Sequence, residues 1–112
     1  DYEGVRDVLS AVYGENQAYF QDEVPLFTMQ LAPGLGLAEE PDQKFASVES
    51  FGMNRCQIVA NGLLEAWYKG DNSPEGGMTS ILQQFSILEI DLPCAYLNAK
   101  SEDVYTPLDL GN

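Results

Sequence analysis

Which fold this chain adopts depends on residues 55–69, RCQIVANGLLEAWYK. Asn61 and Gly62 stand there between two apolar runs, and Asn-Gly is the strongest short signal of a β-hairpin. The reason is that both central residues of a type I′ turn need a positive φ. The stretch therefore favours a hairpin. A short helix is the rival interpretation, with one apolar face made of Leu63, Leu64, Trp67 and Tyr68.

Residues 2–13 have the pattern of an amphipathic helix. Four apolar residues fall at i, i+3, i+4 and i+7 and would form one stripe, which consists of Val5, Val8, Leu9 and Val12. Gly14 follows and is placed to end the helix, because glycine readily adopts the left-handed conformation of a helix end.

Most of the remaining chain predicts extended structure. We expect strands over 44–52 and 85–92, and in the second of these apolar and acidic residues alternate. Residues 24–31 are also predicted to be extended, and 33–42 form an exposed acidic excursion rich in Pro and Gly. Residues 78–84 have the pattern of one or two helical turns.

Together these segments predict an α+β fold in which an N-terminal helix packs on a small antiparallel β-sheet. A small β-barrel with a helix is the alternative. The length of 112 residues predicts a single domain over 1–112.

The chain is strongly acidic. Eighteen Asp and Glu residues face five Lys and Arg residues, which gives a formal net charge of −13. Such a field repels phosphate, so nucleic acid is not predicted as a partner. It attracts a partner with a basic surface, although charge for solubility alone is the alternative. No apolar stretch approaches 18 residues, which predicts no membrane span.

The absence of histidine excludes several kinds of site. A Ser-His-Asp triad, a Cys-His dyad and any histidine metal ligand are impossible, and no cofactor is predicted. The two cysteines, Cys56 and Cys94, are too far apart in sequence for a CxxC motif. They could form one disulfide across a long loop or remain two free thiols, and the sequence leaves both open.

Three carboxylates are catalytic candidates. Glu89 and Asp91 would project from one face of the predicted strand, and Glu65 would lie nearby in the predicted hairpin. Paired carboxylates can serve as acid and base when one pKa is raised. The alternative is the solvent face of an amphipathic strand.

Residues 71–76, DNSPEG, partly imitate a calcium-binding loop. Asp71, Ser73 and Glu75 supply oxygens at positions 1, 3 and 5, and a glycine follows at position 6. Leu82 stands where the bidentate Glu of such a loop belongs. These three residues are the metal candidates, and a polar turn is the alternative.

Surplus aromatic residues and the acidic excursion predict a protein interface, because Tyr, Trp and Phe are enriched where proteins meet. The candidate interface residues are Tyr19, Phe20, Leu35, Leu37, Glu39, Glu40 and Asp42.

Residues 91–105, DLPCAYLNAKSEDVY, resemble the Copia-type retrotransposon reverse transcriptases around their first catalytic aspartate. Residues 55–62, RCQIVANG, also resemble a stretch of that family. The resemblance implies that Asp91 is a metal-binding aspartate. The paired-aspartate motif that completes a polymerase metal site does not occur in the 112 residues.

The sequence as a whole predicts a non-enzymatic protein-interaction or assembly subunit, which binds a second copy or another protein. A component of a virion or tail and an accessory subunit of a complex both fit this class. An acidic inhibitor or immunity protein for a basic partner is one alternative, and a small carboxylate-dependent enzyme is another.

Overall fold

A computed structural model describes residues 1–109 of the chain. Three α-helices and one two-stranded antiparallel sheet make up its regular structure in that range, which confirms the α+β class. The elements are α1 (Tyr2–Asn16), β1 (Met29–Ala32), β2 (Leu35–Leu37), α2 (Phe51–Tyr68) and α3 (Pro74–Ile87), with short 3-10 turns at Gln17–Tyr19 and Leu92–Cys94. The two strands form an open ladder, so the β-barrel alternative is wrong for the described residues.

Helix α1 packs against the sheet, as predicted, but through a different face. Tyr13 is buried with Leu31, Ala32 and Leu108, and its hydroxyl donates a 2.7 Å hydrogen bond to the carbonyl of Pro33. The predicted valine stripe does not face this core. Its members Val5, Val8 and Val12 are 54%, 64% and 52% exposed, and only Leu9 is half-buried against the sheet.

The helix also runs past Gly14 and ends at Asn16, so the predicted helix over 2–13 is three residues too short. A side chain at position 14 would meet no neighbour within 4 Å. Nothing in the packing therefore requires the helix to stop there. At the other end the Asp1 carboxylate accepts a 2.9 Å hydrogen bond from the amide of Gly4, which caps the first turn.

The sheet is formed by part of the segment that was predicted to be an exposed excursion. Met29 pairs with Leu37 and Gln30 with Gly36. Gly34 makes the turn with a φ of 78°, which strongly favours glycine. Residues 35–37 are half-buried, so the prediction for 33–42 is wrong over the length of β2.

The predicted hairpin at Asn61-Gly62 is wrong, because both residues lie inside α2. Gly62 is buried where α2 meets α3. A Cβ at this position would lie 2.6 Å from the Cα of Ile81. The glycine is therefore needed for close contact between two helices and not for a turn. The rival interpretation of a helix is correct here, although the helix is longer and begins at Phe51.

Both other predicted strands are wrong as well. Residues 44–50 form a loop, in which the Glu49 carboxylate accepts hydrogen bonds of 2.9 Å from the amides of Phe45 and Ala46. Residues 85–87 continue α3, and the chain then turns through Glu89, whose φ is 60°. The predicted turns at 78–84 belong to the same helix. Ile58 and Phe85 are buried together with Ile90 and Ala95 in a second core cluster.

Candidate functional site

Helix α2 is apolar on both sides. Its inner side holds Ile58, Gly62 and Ala66, which are buried against α3 and the residues that follow it. The opposite side, which we call the outer face of α2, carries large apolar side chains that are between 50% and 77% exposed. These residues are Met53, Leu63, Leu64, Trp67 and Tyr68.

The outer face differs from the solvent side of an ordinary surface helix. Amphipathic helices carry charged and polar residues opposite the core, and helices that are apolar all round are normally buried. The Trp67 and Tyr68 rings contact each other edge to face, with centroids 5.4 Å apart. The charges nearest to them in the helix form an ion pair of 3.0 Å between Lys69 and Glu65.

A buried polar network fixes the orientation of α2 and hence of its outer face. The Arg55 side chain is 1% exposed. Its Nε donates to the carbonyl of Ala95 at 2.8 Å and one terminal nitrogen donates to the carbonyl of Leu97 at 2.9 Å. The other terminal nitrogen donates to Asn54, whose amide in turn donates to Glu49 at 2.8 Å. The network therefore connects the loop before α2, the helix itself and the segment after α3.

An arginine guanidinium stays protonated in proteins, so Arg55 is a buried cation. Burial lowers the pKa of Arg55 below its ordinary value, and the nearby carboxylates of Asp42 and Glu39 only partly oppose this shift. Within residues 1–109, every fully buried side-chain nitrogen or oxygen has a hydrogen-bond partner. The network around Arg55 therefore has a structural role, because a buried polar group destabilises the fold only when it is left without a hydrogen-bond partner.

A second network surrounds Glu39, directly after β2. Its carboxylate accepts hydrogen bonds from the amide of Asn98 at 2.8 Å, the Ser101 hydroxyl at 2.9 Å and the Tyr105 hydroxyl at 2.7 Å. Burial alone would raise the pKa of Glu39, but these hydrogen bonds together hold it below its ordinary value. The same bond from the Tyr105 hydroxyl, with burial, raises the pKa of that tyrosine.

The predicted interface residues have different roles in the structure. Leu35 and Leu37 are half-buried against the N-terminal core and do not project into solvent. Glu39 is engaged as described above, and Glu40 forms an ion pair of 3.2 Å with Lys44. The exposed residues of the set are Tyr19, Phe20, Glu40 and Asp42. An interface role for the set stays a prediction.

The predicted carboxylate site is only partly assembled. Glu89 and Asp91 line one shallow groove of about 410 Å³, whose floor includes Phe85 and Ile90. Glu65 lies instead on α2 and accepts a 2.8 Å hydrogen bond from Gln84. Lys100 forms an ion pair of 3.3 Å with Glu89. The predicted strand pairing that would have joined all three does not exist.

The residues of the calcium-like loop begin α3. The Asp71 carboxylate accepts 3.0 and 2.6 Å hydrogen bonds from the amide and hydroxyl of Ser73. These bonds lower the pKa of Asp71. The Ser73 oxygen then caps the helix by accepting from the amide of Gly76, and Glu75 lies in the first turn. Among residues 1–109, no group of three or more Cys, Asp or Glu side chains is arranged to hold a metal ion.

The remaining sequence candidates occupy separate places. Cys56 is an exposed free thiol on α2, and Cys94 is a half-buried free thiol at the end of the second 3-10 turn. Asp91, the residue singled out by the reverse transcriptase resemblance, precedes that turn. Across the described range, no helix is both long and apolar enough to span a bilayer.

Sequence reasoning largely missed the outer face of α2. Four of its five residues were assigned to the less favoured helical interpretation, and Met53 was assigned to no site. A detectable signal was the length of the run from Phe51 to Tyr68, because strands rarely exceed ten residues and helices often do. Ser50 before that run is a further signal, since its side chain accepts a hydrogen bond from the amide of Met53.

Comparison with known proteins supplies a family. No curated protein and no solved structure matched the chain. The model of the HopA1 effector protein family matches residues 1–97. This is most of the 112 residues, and the chain therefore belongs to the HopA1 effector protein family.

Proposed function

We propose that this chain is a protein-binding module of an effector and that it docks on a host protein through the outer face of α2. Membership of a bacterial effector family supports a protein that acts on or interacts with host proteins. The family gives no support to a virion or tail component. The absence of nucleic acid among the partners stays a prediction.

The observation that carries this proposal is the apolar character of a solvent-exposed helix side. Trp67 is 66% exposed and Tyr68 is 77% exposed. Since an aromatic side chain offers about 150–250 Å², these two alone present roughly 300 Å² of surface. Met53, Leu63 and Leu64 add further exposed apolar surface, and together these residues could form the centre of a standard interface of roughly 800 Å² per partner.

The chemistry of the face also fits recognition of another protein. Trp and Tyr are enriched among the residues that dominate binding energy, and they need a desolvated pocket on the partner. On the side of α2 away from the outer face, the Arg55 and Asn54 side chains donate hydrogen bonds to the carbonyls of Ala95 and Gln43 and so fix the position of the helix. A rigid helix face loses little conformational freedom on binding, which favours affinity.

Catalysis by carboxylates has less support than binding. Glu89 and Asp91 share a groove, but both are exposed and Glu89 is paired with Lys100. Acid–base pairs are typically held where water is largely excluded, and this groove leaves both carboxylates exposed to solvent. The proposal therefore assigns this chain a binding role.

Site-specific photo-crosslinking in a host-cell extract tests the proposal. The photoreactive residue is placed at Leu64 or at Trp67, and an equivalent chain carries it at Gln83, an exposed polar position on α3. We expect the same host protein to be crosslinked from positions 64 and 67 but not from 83. The purified host protein should then bind the natural chain and lose at least tenfold in affinity for Leu64→Glu.

Circular dichroism controls for the fold of Leu64→Glu, which should keep its helix content because Leu64 is half exposed. Crosslinks between copies of the chain alone would contradict the proposal and indicate self-association. Equal crosslinking from position 83, or equal affinity of the Leu64→Glu variant, would also contradict it.

A further inference from the structure

The exposed side of α1 has the spacing of a coiled-coil seam. Asp1, Val5, Val8, Val12 and Glu15 follow one another at intervals of four, three, four and three residues. This 3.5-residue period is the pattern by which one helix packs along another. We call these five residues the α1 seam. Its three valines are each more than half exposed.

The α1 seam is apolar in the middle and acidic at both ends. Asp1, Gly4, Val5, Val8 and Leu9 line a shallow depression of about 450 Å³ along the helix. Asp1 and Glu15 stand 14 residues apart, which at 1.5 Å per residue is about 21 Å. A partner helix of two heptads spans that length and would meet a carboxylate at each end.

A second copy of this chain is a poor occupant of the seam. In a parallel pair Asp1 would face Asp1, and in an antiparallel pair it would face Glu15, so like charges would meet at both ends. The chain has few cations to offer instead, because it has only five basic side chains and each already has a partner within the chain. Three form ion pairs, which are Lys44 with Glu40, Lys69 with Glu65 and Lys100 with Glu89.

The two arginines are engaged as well. Arg55 is buried in the network behind α2. Arg6 lies on the other side of α1 from the seam and donates a hydrogen bond of 2.5 Å to the Thr106 hydroxyl. Charge complementarity therefore favours a different protein, with positive charge at both ends of its apolar stripe, as the occupant of the seam.

We propose that the α1 seam binds an amphipathic helix of another protein, which carries apolar residues at heptad positions and Lys or Arg at both ends of the apolar stripe. The valines supply the buried area, and the two terminal carboxylates set the register. The net charge of −13 steers a cationic segment towards the chain before contact. This surface is separate from the outer face of α2 and does not depend on it.

Fluorescence anisotropy with three labelled synthetic peptides tests the proposal. The first has two heptads with Leu and Val at the a and d positions and Lys at both ends. The second replaces each Lys by Glu, and the third contains the residues of the first in scrambled order. We expect saturable binding of the first peptide at least tenfold tighter than that of the other two. Equal binding of the scrambled peptide would indicate simple charge attraction and overturn the proposal.

Matched variants of the chain locate the site. Val8→Glu should weaken the first peptide at least tenfold, and Glu15→Gln should weaken it about threefold. Glu3→Gln is the control for charge, because Glu3 is exposed on α1 but away from the seam. Leu64→Glu is the control for the outer face of α2. Neither control variant should change the affinity, so this proposal and the proposed function can fail separately.

Two results would overturn the inference. The first is unchanged peptide binding by Val8→Glu with unchanged helix content. The second is a dimer in sedimentation velocity that Val8→Glu converts to a monomer, which would make a second copy the occupant of the seam.

Discussion

Replacement of Gly62 by alanine tests the contact between α2 and α3 directly. A Cβ at position 62 would lie 2.6 Å from the Ile81 Cα and 2.8 Å from its backbone nitrogen. Ordinary contacts of this kind are at least 3.4 Å, so the two helix backbones would have to separate by nearly 1 Å. Overpacking typically costs about 1–3 kcal/mol, and the upper part of that range, about 2–3 kcal/mol, applies here because the atoms met are helix backbone and cannot rotate away.

The same substitution also has a favourable contribution, because alanine in a helix interior is better than glycine by about 1 kcal/mol. The net expectation for Gly62→Ala is a loss of about 1–2 kcal/mol in the free energy of unfolding. With an unfolding entropy of about 2.1 cal/mol/K per residue, each kcal/mol lowers the Tm by about 4 °C. The melting temperature should therefore fall by roughly 4–8 °C.

Gly52→Ala is the matched control on the same helix. A Cβ at position 52 meets nothing within 4 Å, so this variant should gain about 0.5 kcal/mol. Both variants are compared by urea unfolding followed by circular dichroism at 222 nm. A Gly62→Ala chain as stable as the Gly52→Ala chain would refute the close approach of the two helices at this point.

Three further predictions concern the polar networks and the start of α3. Glu39→Gln should flatten the loss of stability between about pH 5 and pH 3, measured by urea unfolding. The pKa of Glu39 is lowered in the folded chain, so its contribution is complete above the ordinary value of 4.5 and is lost as the pH falls through the folded value. An unchanged pH profile would contradict this role. Arg55→Met should lower the unfolding free energy by about 3 kcal/mol or more, because it leaves the buried carbonyls of Ala95 and Leu97 without a donor. A loss below about 1 kcal/mol would show that other donors replace the guanidinium. Ser73→Ala should cost about 1 kcal/mol in thermal unfolding and Ser73→Asp much less, since both Ser and Asp cap helices. Equal losses for the two variants would exclude a capping role.

Local sequence patterns predicted the N-terminal half of the fold better than the C-terminal half. The helix at the N-terminus and the extended segment near Met29 are both present. Local periodicity can identify a helix, but it cannot say which side meets the core when two sides are partly apolar. Tyr13 decides that question through its contacts with Leu31 and Leu108, and both are distant in sequence.

The errors in the C-terminal half have a common physical cause. From the sequence alone, the glycine at position 62 is compatible with two structures: a turn with positive φ, and a helix position where another backbone comes close. Only the position of Ile81 distinguishes them. The alternation at Leu88, Ile90 and Leu92 likewise imitates a strand, although these residues line the turn after α3 and pack on the second core.

The candidate site was not located from the sequence. Composition predicted a protein interface and the net charge predicted an acidic one, whereas the outer face of α2 is apolar. The outer face of α2 could not be located while residues 55–69 were interpreted as a hairpin, because the two structures send the same side chains in different directions.

The two hydrophobic clusters share no buried residue, and this division has a consequence for how the molecule opens. Tyr13 and its neighbours form one cluster, while Ile58 and Phe85 belong to the other. Hydrogen bonds from Asn98 and Tyr105 to Glu39 help to join them. Amide hydrogens of α1 and β1 should therefore exchange with solvent in one cooperative step, and those of α2 and α3 in another. Acid should lower the free energy of the first opening step, because protonation of Glu39 weakens the connection between the two clusters and leaves both apolar interiors intact.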